Sequence, residues 1–256
     1  TGVQYYDSDM NPTEYGWAID HDDTLYARWT PNTYSVSYDL DGYNISDDIA
    51  RLIVEEGVDF GTKTAYDKAV TEPTPEEYFT YTALNGTFCT ITKYTGTDTT
   101  VVIPAEIDGY IVQQIADSAF KNNTSIEKVV LPETVTTMGN NAFYGCTSLI
   151  YVGLNDGLEY IPEYAFYGCA SLEEIALPLS VRYLSSYAFA NCSSLKKVDM
   201  TPAMYMINSY AFNNCVSLAE IELHEGLTTI GSFAFGGCTS LESIELPKGL
   251  LEMYGR

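Results

Sequence analysis

The chain has 256 residues, of which 46% are hydrophobic, and its 35 acidic and 12 basic side chains leave a net charge of −23. That balance lacks the basic footprint that phosphate binding needs and argues against nucleic acid as a partner and against adhesion to anionic lipid. It suits a soluble, self-repelling extracellular or surface protein. No run of about 18 apolar residues is present to span a membrane, and no basic-then-apolar leader opens the chain.

Residues 1–77 lack the 23-residue beat of the rest of the chain. Thr24-Leu25-Tyr26-Ala27-Arg28-Trp29-Thr30-Pro31 resembles the closing strand of an internalin B-type repeat. Tyr34-Ser35-Val36-Ser37-Tyr38-Asp39 resembles the opening strand of the next. The resemblance implies a small β-rich module, a spacer or small adhesive unit, with Thr1 inside one repeat and a degenerate second repeat. Ser46-Asp47-Asp48-Ile49 reads as a helix start, a cap followed by acids in the first turn. Ile49, Leu52 and Ile53 line one face of that helix and Gly57 ends it. Asp39-Leu40-Asp41-Gly42 has the form of the middle of a calcium loop. With Gly42 sixth, Ser37 is first and Asp48 last, where a bidentate Glu is preferred. Asp39, Asp41 and Asp48 are therefore the metal candidates, with a plain Asp-Gly turn as the competing reading. Glu72-Pro73-Thr74-Pro75-Glu76-Glu77 reads as a stiff acidic linker and sets the boundary between residues 1–77 and 78–256.

From residue 119 onward the chain keeps one beat. Cys146, Cys169, Cys192, Cys215 and Cys238 are each 23 residues apart, as are six Ala-Phe pairs from Ala119-Phe120 to Ala234-Phe235. The copies share A-F-x-x-C-x-S-L-x-x-[IV]-x-L-P-x-x-[VL]-x-x-[ILM]. Self-similarity at such a period is the mark of a solenoid, whose single repeat cannot cover its own apolar face. In [IV]-x-L the apolar residues alternate, so each copy holds a short strand with two residues inward and one outward. Pro132, Pro178 and Pro247 end their strands. The spacing around Ala-Phe suits a single helical or 3₁₀ turn. One strand and one turn per copy give a parallel sheet backed by turns.

The motif A-F-x-x-C-x-S-L-x-x-I-x-L-P resembles the BspA-like leucine-rich repeat of bacterial surface proteins, over about residues 78–256. The lead-in agrees: Cys89 to Thr97, then Val101-Val102-Ile103-Pro104, then Gly109-Tyr110-Ile111-Val112. Such domains open with a hairpin and one longer repeat, here residues 78–118, before the six 23-residue copies of 119–256, the last incomplete. Ile103 precedes Leu131 by 28 residues, so the first copy carries five extra (28 − 23 = 5). The implied fold is an α/β solenoid, a right-handed leucine-rich-repeat superhelix with a parallel sheet and short helical turns. The implied setting is extracellular or cell-surface, secreted or anchored. The implied role is adhesion to a protein or glycan of a host or neighbouring cell, without catalysis. Asn123 departs from the pattern at the Cys slot, and Asn155, Thr201 and His224 depart at the Pro slot, which is expected only to loosen strand ends.

The cysteine ladder invites a metal or redox reading, since zinc sites use thiolates. One thiol per copy, without a C-x-x-C pair or a nearby histidine, fits small buried packing residues better; an incidental disulfide and a metal are the alternatives. His21 and His224 are the only histidines, and no G-x-S-x-G, H-E-x-x-H or Gly-rich phosphate loop occurs. The chain is therefore read as non-enzymatic, without a cofactor. The candidate ligand-binding residues are those pointing outward from the repeat strands: Tyr151, Glu174, Lys197, Asp199, Glu220, Glu222 and Glu245. Tyr151 beside Gly153 would be an anchor. Tyr164, Tyr187, Tyr210 and Phe233, each just before Ala-Phe, form an aromatic ladder that either packs the repeats or binds. Ser243 to Leu246 is the last expected strand, with no following copy to pair with. Either the parent protein continues or that edge meets another chain, which leaves a monomer or an edge-mediated homo-oligomer. The structural competitor to binding is a passive spacer that displays other domains.

Overall fold

The computed structural model describes residues 73–254, together with the backbones of strands Leu25–Thr30 and Thr33–Tyr38. The chain divides into two compact units, Thr1–Phe60 and Gly61–Arg256. In the first, Leu25–Thr30 and Thr33–Tyr38 pair antiparallel, with Thr30 opposite Thr33. The helix start at Ser46 and the candidates Asp39, Asp41 and Asp48 lie outside the described residues.

The second unit is a parallel β-solenoid. Phe79–Leu84 and Phe88–Tyr94 form an antiparallel hairpin, and Phe88–Tyr94 then pairs parallel with Tyr110–Ile115. Thr100–Val102 pairs in register with Lys128–Val130, which bears out the offset of 28. The extra residues of that first copy make a tight antiparallel return between Glu106–Ile107 and Tyr110–Ile111. Asp108 (φ 50°) and Gly109 (φ 81°) turn the corner in the left-handed region.

Each later copy except the last contributes two short strands, not one. The front strands are Lys128–Val130, Tyr151–Gly153, Glu174–Ala176, Lys197–Asp199 and Glu220–Ile221. The back strands are Thr137–Met138, which pairs with Tyr110–Ile115, and Tyr160–Ile161, Tyr183–Leu184, Met206–Ile207, Thr229–Ile230 and Glu252–Met253, the last five making one five-stranded parallel sheet. The front ladder is interrupted between Tyr151–Gly153 and Glu174–Ala176, so it forms two three-stranded sheets. The expected front strand at Ser243–Leu246 does not form; Glu252–Met253 on the back sheet is the last paired strand.

Between the sheets lies a core that runs the length of the stack. Phe120, Phe143, Phe166, Phe189 and Phe212 are fully buried and stack ring on ring, with centroids 4.8–5.5 Å apart. Tyr94 caps the column at 5.7 Å from Phe120. Burying each such ring contributes about 1.5–3 kcal/mol against the entropy of ordering the coil.

The turn around Ala-Phe is not helical. The described residues contain one 3₁₀ turn, Glu76–Tyr78, and no α-helix. The reason is conformational. In every copy the residue before Ala and the residue before the Cys slot are left-handed: Tyr187 (φ 62°) and Asn191 (φ 60°) in one, Phe233 (φ 53°) and Gly237 (φ 76°) in another. Two such residues within six prevent a right-handed helix from propagating. The N–H groups alternate in use. Ala188 and Ala190 bond back three residues within the turn, whereas the Phe189 N–H reaches the Ala211 carbonyl of the next coil at 2.8 Å.

Candidate functional site

Outward residues of the front sheet stand on strands whose inward Val129, Val152, Ile175 and Val198 are buried. The framework is rigid because each strand is locked by its neighbour's register. Glu174 lies beside Lys197 and Lys197 beside Glu220, while Ala176 lies beside Asp199. Of the seven candidates, Glu174, Lys197, Asp199, Glu220, Glu222 and Glu245 are exposed. Lys197 pairs with Asp199 at 2.9 Å and Lys196 with Glu173 at 2.7 Å. Both pairs are about half exposed, so each contributes at most about 1 kcal/mol. The other outward phase does not alternate. Asp199, Glu222 and Glu245 follow at the same phase, and like charges directly opposite destabilise strand pairing. Such repulsion opposes the pairing of Ser243–Leu246 with the coil before it.

Tyr151 needs a correction. It is only 8% exposed. Its ring lies over Gly153, where an added Cβ would come 3.2 Å from the Tyr151 hydroxyl oxygen. Gly153 is small so that Tyr151 can fold down, and the ring does not project as an anchor.

The Pro-slot departures make their own contacts between coils. Each reaches back to a carbonyl of the preceding coil. The Asn155 amide donates to the Val135 carbonyl at 2.9 Å and to that of Pro132. Thr201 donates to Leu179 at 3.3 Å, and His224 Nε2 lies 3.2 Å from the Met200 carbonyl. Asn155 and Thr201 are buried.

The cysteines are structural. All are unpaired and buried. The thiols of Cys146, Cys169, Cys192, Cys215 and Cys238 donate to the Phe carbonyl of the preceding coil at 3.1–3.3 Å. Loss of solvation pushes Cys146 up to about 12 and Cys238 to about 11, and carries Cys169 and Cys192 well above the usual 9.0. A thiol that holds its proton so firmly is a poor nucleophile, since the thiolate is the reactive form. At the Cys slot of the first copy, Asn123 instead accepts the N–H groups of Ser125 and Ile126. Among the described residues no group of three or more His, Cys, Asp or Glu is arranged to hold a metal. No described helix is long and apolar enough to cross a membrane.

The turn edge carries the aromatic ladder. Tyr164 stacks on Tyr187 at 4.7 Å, Tyr187 on Tyr210 at 4.6 Å, and Tyr210 on Phe233 at 5.1 Å. All four are left-handed, with φ between 53° and 62°. For a bulky side chain that is an outlier, costing about 1–2 kcal/mol per residue. A second stack, Tyr160 on Tyr183 at 5.0 Å, faces outward from the back sheet. The recurrence of Ile, Leu or Met one residue later (Ile161, Leu184, Ile207, Ile230) was the signal for this second strand.

A family model for the BspA type leucine rich repeat region, in six copies, matches residues 113–242 and 205–255. Among solved structures, the leucine-rich-repeat protein TpLRR of T. pallidum is 29% identical, with 71% of this chain and 81% of that chain covered and a TM-score of 0.48. A leucine rich cell surface protein of Faecalibacterium prausnitzii is 28% identical, covering 68% of this chain and 54% of its own, with a TM-score of 0.51. A leucine-rich-repeat protein of Eubacterium ventriosum, 24% identical, covers 66% and 51% with a TM-score of 0.51 and shows the shared fold. The chain thus spans about half the length of these last two. The search of the curated proteins returned no match. The matched copies, the Phe core and the parallel stack agree, and the chain belongs to the BspA-type leucine-rich-repeat family.

Proposed function

We propose that this is a non-catalytic binding protein of the bacterial surface or surroundings, which captures an extracellular protein or glycan partner through its repeats. The observation that carries this reading is the front face itself. Glu174, Lys197, Asp199 and Glu220 stand exposed on paired parallel strands, and the exposed Glu222 follows the last of them. The paired backbone beneath these side chains needs no ordering on binding, which lowers the cost of association. The excess of acid at the C-terminal half of that face favours a basic protein patch, because complementary charge speeds encounter. The family and the description of the F. prausnitzii protein as a cell surface protein support the location. Residues 1–77 serve as a β-rich spacer in this reading.

The test is an array of immobilised host extracellular proteins and glycans, probed with the chain and with the double variant Glu220→Lys/Glu222→Lys. Capture of one or more array components, lost or sharply salt-shifted in the double variant, is the expected result. Capture that survives substitution across the whole front face would remove that face as the site. Silence on every spot would favour the spacer reading.

A further inference from the structure

We propose that the aromatic column Tyr164–Tyr187–Tyr210–Phe233 is a binding strip for a linear, uncharged polysaccharide. The column lies on the turn edge, away from the front sheet, and shares with the reading above only the premise that the repeats bind.

The first observation is strain. Four successive copies hold an aromatic residue at a left-handed backbone position. The two earlier copies place Ser118 (φ 63°) and Asn141 (φ 58°) in the same slot. Asn is among the non-glycine residues that visit this region most readily. The fold therefore accepts a relaxed residue here, yet four copies keep a ring. Backbone strain that persists against an available relief is where a functional role is sought.

The second observation is charge. The turn segments of Tyr187, Tyr210 and Phe233 (Ser185–Ser194, Asn208–Ser217 and Gly231–Ser240) contain no Asp, Glu, Lys or Arg, whereas the turn of Tyr164 carries the exposed Glu163 directly before the ring. They belong to a chain with a net charge of −23. From Tyr187 to Phe233 the strip is uncharged, and in an acidic protein such a stretch complements an uncharged ligand. A basic partner is drawn instead to the front face.

The third observation is geometry. Ring centroids recur at 4.6–5.1 Å along the stack, with planes within 14° of parallel. Carbon atoms in contact sit at about 3.5–4.0 Å, so rings with these centroids are slipped like roof tiles. Each leaves an edge and part of a face uncovered. Phe233 is 38% exposed and the three tyrosines are half-buried. In an extended sugar chain, successive rings can follow successive coils, with their apolar C–H faces on the aromatic rings. Hydroxyls then meet Tyr hydroxyls and the Ser186, Ser209 and Ser232 that precede the rings.

The test uses the full chain and isothermal titration with cellohexaose and mannohexaose, with cellotriose for length. At least one hexasaccharide is expected to bind, cellotriose about tenfold more weakly, in line with fewer coils engaged. The triple variant Tyr164→Asn/Tyr187→Asn/Tyr210→Asn is expected to lose about tenfold or more in affinity. Its thermal midpoint should hold, because Asn already occupies this slot at Asn141. If the triple variant unfolds, Tyr187→Asn alone carries the comparison and must still weaken binding. The proposal is overturned if neither hexasaccharide binds, or if the ring variants bind as well as the parent. It is also overturned if they instead lose a captured protein, which would make the strip a protein-docking surface. Glu220→Lys/Glu222→Lys should leave hexasaccharide binding unchanged, so the front-face reading and this one can fail separately.

Discussion

The thiol of Cys192 lies 3.1 Å from the carbonyl oxygen of Phe166, one coil earlier, and donates to it. The same carbonyl accepts the N–H of Cys169 in its own coil at 3.1 Å. One oxygen thus closes its own turn and ties down the next. The contact repeats at five thiols, so the cysteine beat marks a seam of inter-coil hydrogen bonds inside the core.

A thiol in that position should be chemically silent while the protein is folded. Titration with a thiol reagent at pH 8 is expected to show no fast reaction from the ladder and full reaction after denaturation. Cys192→Ala should lower stability by about 1–3 kcal/mol, through a small cavity and a lost hydrogen bond. A ladder thiol that reacts as fast as a free thiol in the native protein would show that the seam is open.

Alkaline pH should unfold the stack by the same route. Burial raises the folded-state values of Cys146 to about 12 and Cys238 to about 11, from the usual 9.0. Below pH 9 folded and unfolded chains both keep these protons, and the stability is fully present. Between pH 9 and the raised values the unfolded chain releases protons that the folded chain retains, so stability falls as pH rises. The slope is at most about 1.4 kcal/mol per pH unit for each thiol. Tyr94, raised to about 12 by burial and by its bond to Asp98, acts in the same direction. Urea midpoints at pH 7, 9 and 10.5 should show a plateau and then a drop, shallower in Cys192→Ala. A flat profile through pH 10.5 would contradict the buried seam.

Much of this fold is readable from residue spacing, and the unread part has physical causes. The inward Val129, Val152, Ile175 and Val198 reveal their role by alternation, because burial selects their type. The register of Thr100–Val102 on Lys128–Val130 follows from counting residues. The back strands are two residues long, too short for alternation to show, and so pass as turns. The left-handed turn is half legible. Asn122, Gly145, Gly168, Asn191, Asn214 and Gly237 are the residues such a position favours, whereas Tyr at Tyr164, Tyr187 and Tyr210 is not. The fate of Tyr151 depends on a Cβ missing from Gly153, which outward-facing periodicity does not register.

Asn155 offers a test of the Pro-slot contacts. Its amide donates to the Val135 carbonyl at 2.9 Å and to Pro132, beside the interruption in the front ladder. Asn155→Ala should cost about 1–3 kcal/mol, the range for withdrawing one partner from buried polar groups. Hydrogen exchange should rise locally at Val135 and Leu158, whose N–H groups close the turns on either side. An unchanged urea midpoint would mean that water replaces the amide at no cost.

The acidic column at the end of the front face yields the last prediction. Glu222 follows Asp199 and precedes Glu245 by one repeat each, and all three are exposed. In the coils before, Glu174 and Glu220 each flank Lys197, and that strand is paired on both sides. Glu222→Lys puts a cation between two carboxylates and gives this phase the alternation that Glu174, Lys197 and Glu220 have at the other. Opposite-charge pairs on neighbouring strands contribute about 0.2–1 kcal/mol each. The variant should therefore gain a small amount of stability, more at low salt than at high, because exposed pairs are screened. It should also slow amide exchange at Ile244 and Glu245 as Ser243–Leu246 gains a partner in Glu220–Ile221. If exchange there is unaltered at low salt, repulsion is not what keeps that strand apart, and the short Glu220–Ile221 pairing itself must be too weak to extend the sheet.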